Sequence, residues 1–421
     1  MKSDGRTTKV EWKTVTLGDV AEFVRGINFK PDDVVPTGTP GAVACMRTKN
    51  VQAELDLSDV WSVGEQFVRR EDQFLQAGDV LVSSANSWNL VGKCCWIPEL
   101  PGRASFGGFV SVLRPQRTKV EPRFLFRWFS SNRIQTTLRS FGQQTTNISN
   151  LNTDRCLKLP LPLPPLAEQR RIAEVLDRAE ALRAKRRAAL AQLDSLTQSI
   201  FLDLFGDPRT NPKHWSSETV AELCASQPNA CVGGPFGSDL TQADYVEFPG
   251  VPVIRGQNLS TNGPFLDEDG FVFVSEAKAE SLSRNGALRG DILVSQRGAR
   301  LAGQVALIPS TSQFERYVVS QSQMRISPDL NKIDPLYLVY YFRSPRAVQW
   351  MEARTISTGV PHINLGILRE FLVELPPIEL QREFARRVTA VETLKTAHRA
   401  SLAELDALFA TLQHRAFRGE L

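Results

Sequence analysis

A chain of 421 residues, 42% hydrophobic and 23% charged, has room for two or three domains with cores of their own. No apolar run approaches the roughly 20 residues of a membrane helix, and the polar start Met1-Lys2-Ser3-Asp4-Gly5 has no apolar signal core, so the expected location is the cytoplasm, with no membrane partner. The net charge of +4 names no partner by itself, although 21 Lys and Arg face 16 Asp and Glu over residues 1–165 while 15 face 18 over 207–377.

In chain order, residues 1–165 are rich in Gly, Pro and short β-branched or aromatic runs such as Asp79-Val80-Leu81-Val82, which read as strands between turns. A helix is expected after Glu121-Pro122, because proline is tolerated in a first helical turn. The pair Pro164-Pro165 then ends the irregular region, and a charged, Ala- and Leu-rich segment runs over 166–206. Residues 207–377 repeat this order, with strands such as Gly303-Gln304-Val305-Ala306-Leu307-Ile308, a helix start at Asp334-Pro335 and the pair Pro376-Pro377 before a second charged segment, 378–421.

The two halves are one pattern written twice. Gly78-Asp79-Val80-Leu81-Val82-Ser83 recurs further along the chain as Gly290-Asp291-Ile292-Leu293-Val294-Ser295. At the same offset Leu163-Pro164-Pro165-Leu166 recurs as Leu375-Pro376-Pro377-Ile378, and Gln169-Arg170 as Gln381-Arg382. With small gaps, Arg47-Thr48-Lys49-Asn50-Val51 matches Arg255-Gly256-Gln257-Asn258-Leu259. Two gap-free matches sharing one offset indicate an internal repeat.

Each charged segment carries a stripe with alternating spacings of four and three. The first is Ile172, Leu176, Ala179, Arg183, Arg186, Leu190, Leu193, Thr197, Ile200, Leu204; the repeat's offset carries these to Phe384, Val388, Val391, Lys395, His398, Leu402, Leu405, Phe409, Leu412, Ala416. A sustained heptad seam predicts two long helices that pair, with Ile172, Leu176, Leu190, Leu193, Phe384, Val388, Leu402 and Leu405 as the leading pairing positions. Arg183, Arg186, Lys395 and His398 interrupt both seams at one place, either to fix alignment or contact a third chain, or simply to snorkel to water. The expected fold is α+β: two homologous mixed domains (1–165 and 207–377) separated by two long helices (166–206 and 378–421) in an antiparallel, pseudo-twofold coiled coil. Such helices, about 58 Å long at ~1.5 Å per residue, could hold two domains ~34–36 Å apart, as in two-fold readers of DNA. A structural stalk or a homodimerisation helix is the alternative.

Catalytic constellations are missing from the sequence. There is no Gly-x-x-x-x-Gly-Lys-Ser/Thr loop and no strand leading into Gly-x-Gly-x-x-Gly. Asp334-Pro335-Leu336-Tyr337 has the look of an amino-methyltransferase tetrapeptide, but its counterpart Glu121-Pro122-Arg123-Phe124 makes both a helix start. Cys45, Cys94, Cys95, Cys156, Cys224 and Cys231 show no metal-binding spacing and read as reduced structural thiols. Neither catalytic residues nor a metal site is expected.

The whole pattern, from about Trp12 to Leu421, resembles the specificity (S) subunits of type I restriction-modification enzymes. The likeness rests on Gly233-Gly234-Pro235-Phe236-Gly237-Ser238, on Gly290-Asp291-Ile292-Leu293-Val294-Ser295 with Gly303, on His362-Ile363-Asn364, and most specifically on Leu163-Pro164-Pro165-Leu166-Ala167-Glu168-Gln169-Arg170-Arg171-Ile172-Ala173. The first half departs from it by offering Arg25-Gly26-Ile27-Asn28-Phe29-Lys30 in place of the Gly-Pro-Phe-Gly segment. The resemblance implies a non-catalytic subunit with two target recognition domains that read a bipartite, asymmetric sequence in double-stranded DNA. It also implies docking of methyltransferase subunits, expected to be two, and of restriction subunits. S-adenosylmethionine, ATP and Mg2+ would belong to those partners, with no cofactor in this chain. Two other readings remain open here: a specificity subunit whose partner fuses nuclease and methyltransferase, and a dimeric scaffold that does not bind DNA.

Base edges are read by Arg or Lys on guanine and by Asn or Gln on adenine, so amide-rich loops that differ between the halves are the candidates. In the first half these are Ser84, Asn86, Asn89, Gln143, Gln144 and Asn147; in the second, Gln296, Arg297, Arg300, Thr358 and His362. Lys49, Asn50, Lys93, Arg255 and Gln257 join them, with Arg325 as a further phosphate candidate. Ordinary turn residues and plain surface charge are the competing explanation for each. Unlike loops predict unlike half-sites.

Overall fold

The structure is a computed structural model that describes residues 12–144, 148–259, 263, 265, 270–297, 304–356 and 360–421, and of residues 143 and 144 the backbone only. It divides into two compact units, residues 1–188 with 399–421, and residues 189–398.

In the first unit, Lys13–Thr16 pairs antiparallel with Pro160–Leu163. A four-stranded sheet follows in the order Ala21–Arg25, Val110–Pro115, Val80–Ser83, Cys94–Trp96. All four residues of Val80–Ser83 are buried, which explains a continuous apolar run where a half-exposed strand would alternate. A second sheet runs Val34–Val35, Trp61–Gly64, Ala42–Met46, Ala104–Phe106, its last pair parallel. Helices Pro122–Phe129 and Asn132–Ser140 supply Phe124, Leu125, Phe129 and Leu138 to the core.

The second unit repeats this plan. Ser216–Thr219 pairs with Leu372–Leu375; a four-stranded sheet runs Cys231–Gly233, Gln323–Ile326, Ile292–Ser295, Val305–Leu307; and Val251–Ile254 lies parallel to Arg316–Val319 in a second sheet. The helix after Asp334 spans Pro335–Phe342, and the Asp334 carboxylate accepts from the N–H groups of Leu336 and Tyr337 at 2.9 and 3.2 Å.

The repeated motifs are structural devices. Gly78 and Gly290 both have positive φ, +94° and +91°, which a side chain would strain. The next residue in each case is a buried aspartate: Asp79 pairs with Arg114 at 2.7 Å, and Asp291 with Arg325 at 3.4 Å. After each proline pair a buried glutamine ties the helix start to the domain beside it. Gln169 accepts from the Glu121 N–H at 2.8 Å and donates to the Pro164 carbonyl at 2.8 Å; Gln381 accepts from the Asp334 N–H at 2.9 Å and donates to the Pro376 carbonyl at 2.8 Å.

The two long helices span Leu166–Phe205 and Ile378–Ala416. All twenty stripe positions are buried or half-buried. In the first unit Arg171 reaches the Leu421 carbonyl and Arg183 reaches Asp406, so the segments run antiparallel. Ile172 and Leu176 share a core with Phe409 and Ala416 there. In the second unit Lys395 meets Asp194 while Phe201 and Phe205 pack on Phe384, again antiparallel. Within the polar layer Arg183 and Lys395 do not snorkel. Arg183 binds Glu180 and Asp406, both at 2.6 Å, with its guanidinium over the Phe409 ring, and buried Lys395 binds Asp194 and Glu392 at 2.9 and 2.8 Å.

The six cysteines form no disulfide, and burial pushes the thiols of Cys45, Cys95 and Cys156 up to about 12. Among the described residues no helix is long and apolar enough to cross a membrane.

Replacing Gln381 with leucine strands the Asp334 N–H and the Pro376 carbonyl in a buried setting. Each group left unpaired costs about 1–3 kcal/mol, so the urea midpoint should fall clearly; an unmoved midpoint would remove this glutamine from the account of stability.

Candidate nucleic-acid interface

In each unit, loops distant in sequence converge at one end of the four-stranded sheet. In the first, strand Val80–Ser83 leaves the sheet where Val110–Pro115 enters it, since the two are antiparallel with Ser83 opposite Val110. The N–H groups of Ser84 and Ala85 both donate to the Phe109 carbonyl at 3.0 Å. Ala85–Asn86 then pairs with Asn150 and Ser149, and this strand pairs in turn with Gly142–Gln144. The two amide-rich segments expected from sequence thus form one small sheet.

Ser84 and Asn86 are half-buried and Asn89 is exposed. Asn86 donates to Ser83 Oγ at 3.1 Å and accepts from the Ser87 N–H at 2.8 Å, while Asn89 accepts from Ser87 Oγ at 2.7 Å. Lys93 donates to Gln52 at 2.6 Å, and Gln52 donates to the Lys49 carbonyl at 2.8 Å, so the two lysines share a neighbourhood. Lys49 is exposed and paired with Asp59 at 2.5 Å; its ammonium holds that carboxyl below the usual carboxylate range.

In the second unit the Gln296 N–H donates to Ser322 and its carbonyl accepts from Ile363. Arg297 bridges to His362, and His362 exchanges backbone bonds with Ile356 at 2.8 and 3.1 Å. Arg297 is exposed, with its guanidinium 3.4 Å from the Gln321 side-chain oxygen. Arg255 and Gln257 both donate to the Gly270 carbonyl, at 2.6 and 2.5 Å. Asn147, Arg300, Thr358 and the side chains of Gln143 and Gln144 lie outside the described residues.

Two expectations are corrected. Asn50 is buried, with its amide donating to Asp56 and Asp59 carbonyls and its oxygen accepting from the Arg47 N–H at 2.7 Å. Asn258 caps the Arg255 N–H in the same way at 2.9 Å, so the repeated Arg-x-x-Asn turn serves the fold. Arg325 is likewise buried against Asp291 and offers no charge to a phosphate.

Sequence reading passed over Gln321 and Phe109, which sit in the loop before the central strand. Aligning Gly107-Gly108-Phe109 with Ser320-Gln321-Ser322 shows a loop that differs between the halves, the signal that could have found them. The first half does keep the glycine of the second half's Gly-Pro-Phe-Gly segment: a Cβ at Gly26 would overlap the Gly107 carbonyl, as one at Gly234 would overlap that of Ser320.

The exposed groups are amides, a guanidinium and an ammonium, suited to base edges and phosphates and to no bond-breaking step. Among the described residues no cluster of His, Cys, Asp and Glu could hold a metal ion.

The family model "Type I restriction modification DNA specificity domain" matches residues 9–192 and 245–407. The chain belongs to this specificity family. Relatives include the type I restriction enzyme StySPI specificity subunit of Salmonella potsdam, 24% identical over 97% of this chain and 89% of that protein, and the EcoKI specificity subunit of Escherichia coli, 23% identical over the same shares. Among solved structures, the type I S subunit from M. genitalium shares the fold, with a TM-score of 0.56 at 15% identity over 99% of this chain and 98% of that one. A chain from a structure describing complex assembly and conformational transition of the type I restriction-modification system has a TM-score of 0.53 at 18% identity, covering 98% of each chain. A type I specificity subunit is a recognition subunit and not the catalyst.

For a specificity subunit the corrected role of Asn50 separates folding from reading. Asn50→Ala should destabilise by about 1–3 kcal/mol in urea titration while leaving the sequence motif modified in cells unchanged; a changed motif would return Asn50 to the reading surface.

Proposed function

We propose that this chain reads a bipartite, asymmetric sequence in duplex DNA, one part with each unit, and docks the methyltransferase and restriction subunits that act there. The observation that carries this reading is the convergence, in each unit, of separate hydrogen-bonding loops at the same end of the same sheet, with unlike side chains in the two units. One scaffold with two chemistries is what two different half-sites require. Asn86 and Asn89 suit adenine edges and Arg297 suits guanine O6 and N7, while Lys49 and Lys93 suit phosphate. Ser84, Gln296 and His362 line the same loops, with Arg255 and Gln257 on a neighbouring turn.

Docking is supported by a second apolar pattern on the long helices. Leu182, Leu196, Leu394 and Leu408 are 54%, 45%, 53% and 51% exposed and lie off the paired stripe. The offset of the internal repeat carries Leu182 to Leu394 and Leu196 to Leu408. An apolar position kept exposed in both copies of a repeat fits a surface used twice, once for each of two methyltransferase subunits. Those partners would bring S-adenosylmethionine, and the restriction subunits ATP and Mg2+, in the cytoplasm where the chromosome lies.

The test is to map modified adenines in a host carrying the methyltransferase genes, with and without this chain. Modification should depend on the chain and mark a split motif; a pattern that persists without it would end the proposal. Arg297→Ala should weaken one half-site by about 1–3 kcal/mol and relax preference at one base pair, whereas an unaltered motif would exclude Arg297 as a reader.

A further inference from the structure

Each unit leaves a phenylalanine ring standing out of its loop cluster. Phe109 is 63% exposed and Phe236 is 83% exposed. A further strongly exposed phenylalanine, Phe248, packs edge-on against Phe273 at 5.5 Å. Isolated exposed apolar residues are common on protein surfaces, so exposure alone argues little. Position argues more.

The strand registers align the units: Ser83 faces Val110 as Ser295 faces Gln323, and Arg25 faces Ser111 as Gly233 faces Met324. Phe109 therefore corresponds to Ser322, and Phe236 to Asn28. The loops that carry these positions abut in both units. A Cβ on Gly108 would crowd the Asn28 side chain, and one on Gly234 would overlap the backbone of Ser320 and Gln321. Each unit thus places an exposed phenylalanine at the junction of the same two loops, but from opposite sides of it. Both units present an exposed ring at this loop junction, although from non-equivalent positions.

The backbones are anchored while the rings are not. The Phe109 carbonyl accepts from Ser84 and Ala85 at 3.0 Å, and the Phe236 carbonyl accepts from Asp239 at 2.9 Å. Phe109 follows Gly107-Gly108 and Phe236 precedes Gly237, so there is little bulk beside either ring to hold a duplex away. Beside Phe109 runs Ser84–Asn86; on the other junction Gln321 contacts Arg297.

We propose that Phe109 and Phe236 are apolar wedges that lie against base faces at one step of each half-site, fixing where the neighbouring polar side chains meet their bases. The proposal rests on the reading that these loops face DNA, and it names the contact they make.

The test uses the full chain assembled with its methyltransferase subunits and duplexes carrying the modified motif, with 2-aminopurine placed singly at positions other than the modified adenine. Wild type should alter emission at one position in each half-site. Phe109→Ala should abolish that change in one half-site only and weaken binding roughly 5- to 150-fold, the range of one lost base–aromatic stack; Phe236→Ala should do the same in the other. Phe109→Trp and Phe236→Trp should retain both, and Arg297→Ala should lose base preference yet keep the emission change. Melting temperatures should not move, because neither ring is in a core. Specific binding by wild type with unchanged emission and affinity in both alanine variants would overturn the wedges and leave the reading function standing. A wild-type complex that ignores the motif would overturn both.

Discussion

The structure depends on one constraint: a long helix must leave each domain in a fixed direction. Gln169 and Gln381 impose it. Each is fully buried and bonds at once to the carbonyl of the proline pair's first member and to the N–H at the start of a core helix. A helix as long as Leu166–Phe205 or Ile378–Ala416 is a lever, so a small change of angle at its root would displace its far residues by many ångströms. Two opposed hydrogen bonds from one planar amide hold that root where a hydrophobic contact alone would let it slide. The stripe then meets its partner in register, and Arg183 with Asp406 and Lys395 with Asp194 penalise any other alignment, because a shift would take Asp194 from the buried lysine and Asp406 from Arg183.

The same economy divides what the repeat keeps from what it changes. Kept in both units are the left-handed glycine, the buried aspartate after it, the Arg-x-x-Asn turn and the glutamine clamp, although the arginine that pairs with the aspartate comes from different strand positions, Arg114 in one unit and Arg325 in the other. Changed are the residues at the open end of the central strands, whose backbone is held by hydrogen bonds that do not depend on side-chain identity. Ser84 and Ala85 bind the Phe109 carbonyl through their N–H groups, and His362 holds Ile356 through its own backbone. Side chains there can differ without loss of the scaffold.

The long helices, the repeat and the helix starts at Pro122 and Pro335 were legible in sequence because each is a local or strictly periodic signal. The candidate segments were legible in part: Ala85–Asn86 and Gly142–Gln144, from the expected stretches Ser83–Asn89 and Gly142–Asn147, flank one strand, Ser149–Leu151, and Arg297 does meet His362. Individual residues within it were harder. Asn50 and Asn89 are the same amino acid, and only tertiary packing makes one a buried cap and the other a surface amide. Arg325 read as a free cation because its partner Asp291 lies just before another strand, well outside any local window of sequence. The parallel pairing of Ala42–Met46 with Ala104–Phe106 joins segments far apart in the chain with no periodicity to announce it.

Part of the positive charge is used inside the units. Arg114, Arg127, Arg183, Arg325 and Arg346 are each committed to a carboxylate of the same unit, Asp79, Asp177, Asp406, Asp291 and Glu374. These five arginines, of 50 Lys and Arg, therefore hold the fold and have little to offer a phosphate backbone. On the proposed reading, discrimination rests on short-range contacts, which act over a few ångströms, and these paired arginines add little long-range attraction for DNA. On the proposed function, attraction to the duplex would then be shared with the subunits that this chain docks, and recognition would be separated from capture.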